Sequence, residues 1–115
     1  MPISFPNSIE NPPTIARRQQ FETLATRWKQ ETRFFGSVED KVLHPSYQRI
    51  IGMGAVAVPM ILDDLDLNGP ADWFWALTAI TGENPITEEM AGNMNSMTEA
   101  WLRWGKANDL GLDSR

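Results

Sequence analysis

The chain lacks cysteine, and it has only one histidine and one tyrosine among its 115 residues. Without cysteine it can form no disulfide, no thiolate nucleophile and no cysteine-ligated zinc or iron–sulfur site, which fits a reducing compartment. The single histidine, His44, excludes a metal site built on several imidazoles. Disulfide bonds, thiolate chemistry and metal sites with several histidine ligands are therefore excluded.

Long apolar runs are also missing. The longest, from Met53 to Leu62, is interrupted by Gly54 and Pro59 and is too short to span a bilayer. The segment Met1–Pro13 has neither the basic start nor the apolar stretch of a secretory leader. We expect a cytoplasmic protein that is not inserted in a membrane.

Basic side chains are in the minority, with 10 Lys and Arg against 15 Asp and Glu, so the net charge is −5. The average field of such a chain repels a phosphate backbone, which makes nucleic acid a poor partner. Complementary charge speeds the encounter of proteins, so an acidic domain suits a basic protein partner. We expect the partner to be another protein of unknown identity, and association with a second copy of the chain stays open.

The apolar content of 42% is ordinary for one globular domain with a single core. Four prolines in Met1–Pro13 predict a flexible arm, because each removes a backbone donor and disfavours helix before it. Apolar residues at helical spacing then predict an amphipathic helix from about Thr14 to Phe34, closed by Gly36. We expect one domain over residues 14–108 and a frayed tail over residues 109–115.

The rest of the chain also has helical periodicity and turn chemistry. Ser37 can cap a short helix, Pro45 suits a first helical turn, and Pro59 belongs near the start of a helix. Asn68–Pro70 predicts a turn, Trp73–Ile80 a buried helix closed by Gly82, and Thr87–Glu89 a further turn. An apolar stripe from Met94 to Trp104 predicts a final helix that ends near Gly105 or Asn108. No run alternates with period two over enough residues to predict a strand. The sequence predicts an all-α, compact bundle of five or six helices.

The centre of the chain, read as an antiparallel helix pair, resembles a HEAT repeat, in which a glycine precedes Ala-Val-Pro and the second helix has an Ala-Leu and isoleucine pattern. The residues that carry the likeness are Ile50–Leu62 and Trp73–Gly82. Four motifs are also similar to a family of short, uncharacterised bacterial proteins: His44–Gly54, Trp73–Leu77, Thr81–Pro85 and Ala100–Gly105. The second resemblance implies a shared fold, and the HEAT likeness implies protein binding through helical faces.

Tryptophan is abundant, with five copies, and three aromatics are consecutive at Trp73, Phe74 and Trp75. Three neighbours on a helix span about 200°, so they cannot all face one core. We expect Trp75 or Trp73 to reach a rim or contact a neighbouring helix or subunit, and an exposed Trp beside an Arg is typical of a binding hot spot. The candidate binding residues are His44, Tyr47, Arg49, Trp73, Trp75, Arg103 and Trp104.

Two other interpretations stay open. A small ligand-binding domain or enzyme would use a pocket near His44, Tyr47, Arg49 and Glu83, with His44 as a general base beside Ser46, oriented by Glu39 or Asp40. A histidine before proline at a helix start is more often a cap. The segment Asp64–Gly69 matches the opening of a calcium loop, with Asp72 at the ninth position, but the twelfth position holds Trp75 where a bidentate Glu is needed.

These observations favour a non-enzymatic protein-binding module without a cofactor, a metal or a catalytic residue. A small acidic bacterial protein of this kind could serve as an antitoxin in a toxin–antitoxin pair, an immunity protein or an accessory regulator.

Overall fold

The computed structural model describes the backbone of residues 12–110 and the side chains from residue 15 onward. Six α-helices follow one another, and there is no strand in this part of the chain. They are α1 (Pro12–Thr32), α2 (Val38–Val42), α3 (Pro45–Gly52), α4 (Ala57–Asn68), α5 (Phe74–Thr81) and α6 (Met94–Ala107), with a 3₁₀ turn (Gly54–Val56) between α3 and α4. The prediction of an all-α bundle of five or six helices is confirmed.

Polar side chains cap the N-termini of three helices, as expected for backbone N–H groups that lack a helical acceptor. The Ser37 hydroxyl accepts from the backbone N–H of Asp40 at 3.2 Å and starts α2. The Asn93 carboxamide oxygen accepts from Ser96 N–H at 2.9 Å and starts α6. His44 caps α3 in the same way.

Glycine and proline set the boundaries of the central helices. Gly82 adopts φ +73° just after α5 and donates its N–H to the Thr78 carbonyl, so a residue that tolerates left-handed backbone closes the helix. Pro59 is the third residue of α4, where its missing N–H removes no helical bond. Both features agree with the sequence-based expectation.

Other boundaries differ from the prediction. Helix α1 begins at Pro12, inside the segment expected to be an arm, because proline is compatible with a first helical turn. It ends at Thr32, two residues before Phe34, where the backbone N–H of Phe35 closes a turn onto the Thr32 carbonyl. Residues 1–11 and 111–115, on which the rest of the arm and most of the tail fall, lie outside the described residues.

Two further segments, the loop before α6 and the start of the predicted tail, differ from the expectation. The predicted turn at Thr87 forms, with Met90 N–H donating to the Thr87 carbonyl at 3.1 Å, but it does not become a helix. Leu110, which was expected to fray, packs on the core and donates its N–H to the Gly105 carbonyl at 2.8 Å. The ordered domain therefore extends beyond Asn108.

The helices pack in two groups, α1 with α3 and α5, and α4 with α6, around one shared core. Helix α3 packs against α1 and α5, and α4 packs against α6. At the second contact the Leu62 side chain packs directly on the backbone of Gly105, since a Cβ added to Gly105 would lie 2.6 Å from Leu62 Cδ1. Helix α5 packs more extensively on α3 than on α4. The largest side chains without solvent exposure come from four helices and the residue before α5: Tyr47, Ile50, Ile61, Leu62, Leu65, Trp73, Leu77 and Trp101.

Between residues 12 and 110, none of the helices combines the length and the apolar character that crossing a membrane requires.

Candidate functional site

Trp73 lies at the centre of an aromatic cluster and has no solvent exposure. Its ring is 4.5 Å from Trp28, 5.6 Å from Tyr47 and 5.7 Å from Phe21, centroid to centroid. Aromatic pairs at such separations add stability beyond their buried area. Of the two tryptophans expected to reach a rim or a neighbouring helix, Trp73 is the one that packs inside, between residues of α1 and α3.

Tyr47 is also a core residue, and its hydroxyl joins α3 to the start of α5. The hydroxyl donates to the Asp72 carbonyl at 3.0 Å and accepts from the backbone N–H of Ala76 at 2.9 Å. Burial is the main cause that raises the Tyr47 pKa well above its usual range, so the phenol is neutral at physiological pH. Tyr47 therefore has a structural role, since its hydroxyl holds the N-terminal end of α5 against α3.

Asp64 is the polar centre of the same region. Its carboxylate accepts from Trp73 Nε1 at 2.8 Å, from Lys29 Nζ at 2.7 Å and from Asn68 Nδ2 at 2.8 Å. Asp72, farther along the segment that partly matches a calcium loop, pairs with Lys41 Nζ at 3.0 Å. Two of the carboxylates that calcium would need are thus engaged by lysines, and the described residues contain no group of three or more potential metal ligands. The geometry opposes the calcium interpretation.

His44 uses both ring nitrogens in local structure. Nδ1 accepts the backbone N–H of Ser46 at 3.0 Å, so Nε2 carries the proton and donates to Glu31 Oε1 at 2.7 Å. The expected orienting partners, Glu39 and Asp40, do not hold the ring; Glu31 on α1 does. The arrangement is that of a helix cap fixed by a carboxylate.

Arg49 is exposed on α3 and lines an open pocket of ≈ 470 Å³ against α1. The other lining residues are Arg17, Gln20, Gly52, Met53 and Val56. Of the other residues in the alternative pocket, His44 and Tyr47 form hydrogen bonds elsewhere and Glu83 lies on the exposed loop after α5. None of these three residues lines the pocket that contains Arg49. Sequence reasoning missed that Arg17 and Arg49 line the same pocket, which depends on how α1 packs on α3.

Trp75 is the exposed member of the aromatic triplet, with 53% of its surface accessible. It lies on the outer face of α5, since Trp73, Ala76 and Leu77 on the opposite side are fully buried. Ala79, one turn farther, is also exposed. The Trp75 indole is therefore exposed on a helix whose opposite side is packed in the core.

The remaining candidates lie on α6, where Arg103 is exposed and Trp104 is partly buried. The Trp104 ring contacts Trp101 edge-on at 5.1 Å and packs against the core. A second exposed apolar group lies around the α1–α2 connection and comprises Phe34, Phe35, Val38 and Leu43. Arg33 covers the Phe34 ring at 4.9 Å.

Comparison with protein-family models, with curated proteins and with solved structures gave no match. The HEAT-like pair and the similarity to short bacterial proteins therefore stay predictions, and the functional interpretation depends on the geometry alone.

Proposed function

We propose that the chain is a non-enzymatic protein-binding module whose contact surface is the outer face of α5, centred on Trp75. The observation that supports this most is the 53% exposure of an indole on a helix whose inner face is buried. Roughly half of an aromatic side chain of ~200 Å² would be removed from water on contact, which gives about 2–3 kcal/mol of binding free energy. Tryptophan is enriched among the residues that dominate interfaces.

The attachment of α5 supports the same proposal. Its first turn is held by the bond from Ala76 N–H to the Tyr47 hydroxyl, and the preceding Trp73 indole is held by Asp64. Gly82 closes the other end. A contact residue on a fixed helix loses little conformational freedom on binding, so more of the buried-surface energy contributes to affinity.

Charge indicates which class of protein the module would bind. The net charge of −5 favours encounter with a basic protein and disfavours an acidic one. A basic toxin or effector held by its antitoxin or immunity protein, or a basic subunit held by an accessory regulator, fits this description.

The test compares partner capture by the wild-type protein with capture by Trp75→Ala and by Leu67→Ala. Leu67, 70% exposed on α4, is the matched control because it is also a large apolar residue at the surface. We expect chemical cross-linking in the source cells, followed by mass spectrometry, to identify a basic protein bound by wild type and Leu67→Ala. The Kd of that protein should rise by about 30-fold in Trp75→Ala, as expected for the loss of ~2 kcal/mol.

Equal affinity of wild type and Trp75→Ala for the captured protein would exclude the α5 face as the contact surface. Failure of the wild-type protein to capture any protein would contradict the binding role itself.

A further inference from the structure

A pocket between α1 and α3 brings two arginines together. Arg17 and Gln20 come from α1, and Arg49 comes from the last turn of α3. These helices make the most extensive helix–helix contact in the described chain. Packing of the core therefore fixes the two backbones that carry the guanidinium groups.

Among the residues that the structure describes, the two arginines have no acidic partner, unlike the partly buried lysines. Lys29 pairs with Asp64 and Lys41 pairs with Asp72. Among the described residues, neither Arg17 nor Arg49 forms an ion pair with a carboxylate. In a chain with more acidic than basic side chains, two like charges that line one pocket without a counter-ion create a local positive potential.

The remaining lining residues leave room for a small ligand. The pocket measures ≈ 470 Å³, and an added Cβ at Gly52 would meet no atom within 4 Å. Gln20 adds an amide that can donate a hydrogen bond, while Met53 and Val56 form an apolar edge. Guanidinium groups present paired N–H donors that match the paired oxygens of a carboxylate or a phosphate.

We propose that this pocket binds a compact oxyanion, a carboxylate or a phosphate group, between Arg17 and Arg49. Each guanidinium supplies charge-assisted hydrogen bonds, and the Gln20 amide completes the donor set. The site is separate from the α5 face and does not depend on the protein-binding role.

The test is a titration of the ¹⁵N-labelled protein with inorganic phosphate and, in a second arm, with acetate, at constant ionic strength maintained with chloride. The backbone amides of Gly52 and Met53 report on the pocket. We expect saturable shifts at these amides in at least one arm. Arg17→Gln and Arg49→Gln should each weaken binding at least about tenfold, because each removes a charged donor.

Arg27→Gln is the matched control, since Arg27 is an exposed arginine on α1 outside this pocket and its replacement makes the same change in net charge. We expect it to bind the anion as wild type does, apart from a small general electrostatic effect. Comparison of the two arms then shows whether phosphate or carboxylate is preferred.

Shifts that grow linearly with anion concentration in both arms would overturn the proposal, and so would equal weakening by Arg27→Gln and Arg49→Gln. All variants are checked by far-ultraviolet circular dichroism. The replaced side chains are exposed and have no described ion-pair partner, so their removal should leave the helical content unchanged.

Discussion

Replacement of Asp64 by Ala should destabilise the fold by about 2–4 kcal/mol. In the native protein the Asp64 carboxylate accepts hydrogen bonds from the indole N–H of Trp73, from Lys29 and from Asn68. These donors come from α1, from the end of α4 and from the residue that precedes α5. Asp64 thus connects three parts of the chain at the edge of the aromatic cluster.

The magnitude follows from the burial of each donor. Trp73 is fully buried, so an indole N–H left without an acceptor should cost about 1–3 kcal/mol. The side chain of Lys29 is 37% exposed, so its ion pair should contribute at most about 1 kcal/mol. Asn68 is exposed and can exchange its bond for one to water. The indole contact therefore accounts for most of the expected loss.

Urea unfolding followed by far-ultraviolet circular dichroism measures the effect, and a double-mutant cycle with Trp73→Phe isolates the indole bond. In the Trp73→Phe background, Asp64→Ala should cost only about 1 kcal/mol, because the donor is already gone. Lys29→Met should cost no more than about 1 kcal/mol by itself. A change below about 0.5 kcal/mol for Asp64→Ala, or additivity of Asp64→Ala and Trp73→Phe, would refute the reasoning.

Three further predictions concern a close helix contact, a cap and the buried phenol. Gly105→Ala should destabilise the fold by about 1–3 kcal/mol in urea unfolding, because its Cβ would clash with the Leu62 side chain. Gly52→Ala places its Cβ in open space and should be neutral or stabilising by up to about 1 kcal/mol. Equal effects of the two substitutions would contradict the close packing at Gly105. His44→Ala should lower the stability by about 1 kcal/mol, and His44→Asn should recover most of that loss, because Asn can also cap α3. Thermal midpoints measure both effects. Equal midpoints for the two variants would argue against a capping role for His44. Because burial raises the Tyr47 pKa in the folded state, the unfolded chain loses its phenolic proton first as the pH rises above about 10. Stability should therefore fall above that pH, and Tyr47→Phe should lose this contribution; an identical decline in both proteins would exclude Tyr47 as the cause.

Local chemistry was sufficient to predict much of the helix layout. Ser37, Pro59 and Gly82 act through the few residues beside them, so their effects on helix ends could be derived from sequence. The exact end of α1 could not, because helices fray at their ends and a turn from Phe35 N–H to the Thr32 carbonyl replaces the last helical turn. Asn93 caps α6 by the same chemistry, but the loop before it gave no clear boundary.

Two features of the candidate site, the burial of Trp73 instead of Trp75 and the pocket between α1 and α3, could not be predicted from the sequence. Helical geometry requires that Trp73 and Trp75 face different directions, but it cannot say which one faces the core. That choice is made by tertiary partners, above all Asp64, which binds the Trp73 indole, and by the Trp28 and Tyr47 rings that pack against it. The Arg17–Arg49 pocket likewise depends on the packing of α1 on α3.

The most direct test of the central proposal is ¹⁹F NMR of the protein labelled with 5-fluorotryptophan, titrated with its cross-linked partner. Trp75→Phe assigns the Trp75 resonance by its disappearance. We predict that the partner shifts or broadens the Trp75 resonance first and leaves the buried Trp73 and Trp28 resonances almost unchanged, since only Trp75 has a largely exposed indole. Formation of the complex with no change at Trp75 would contradict the proposal that the outer face of α5 is the binding surface.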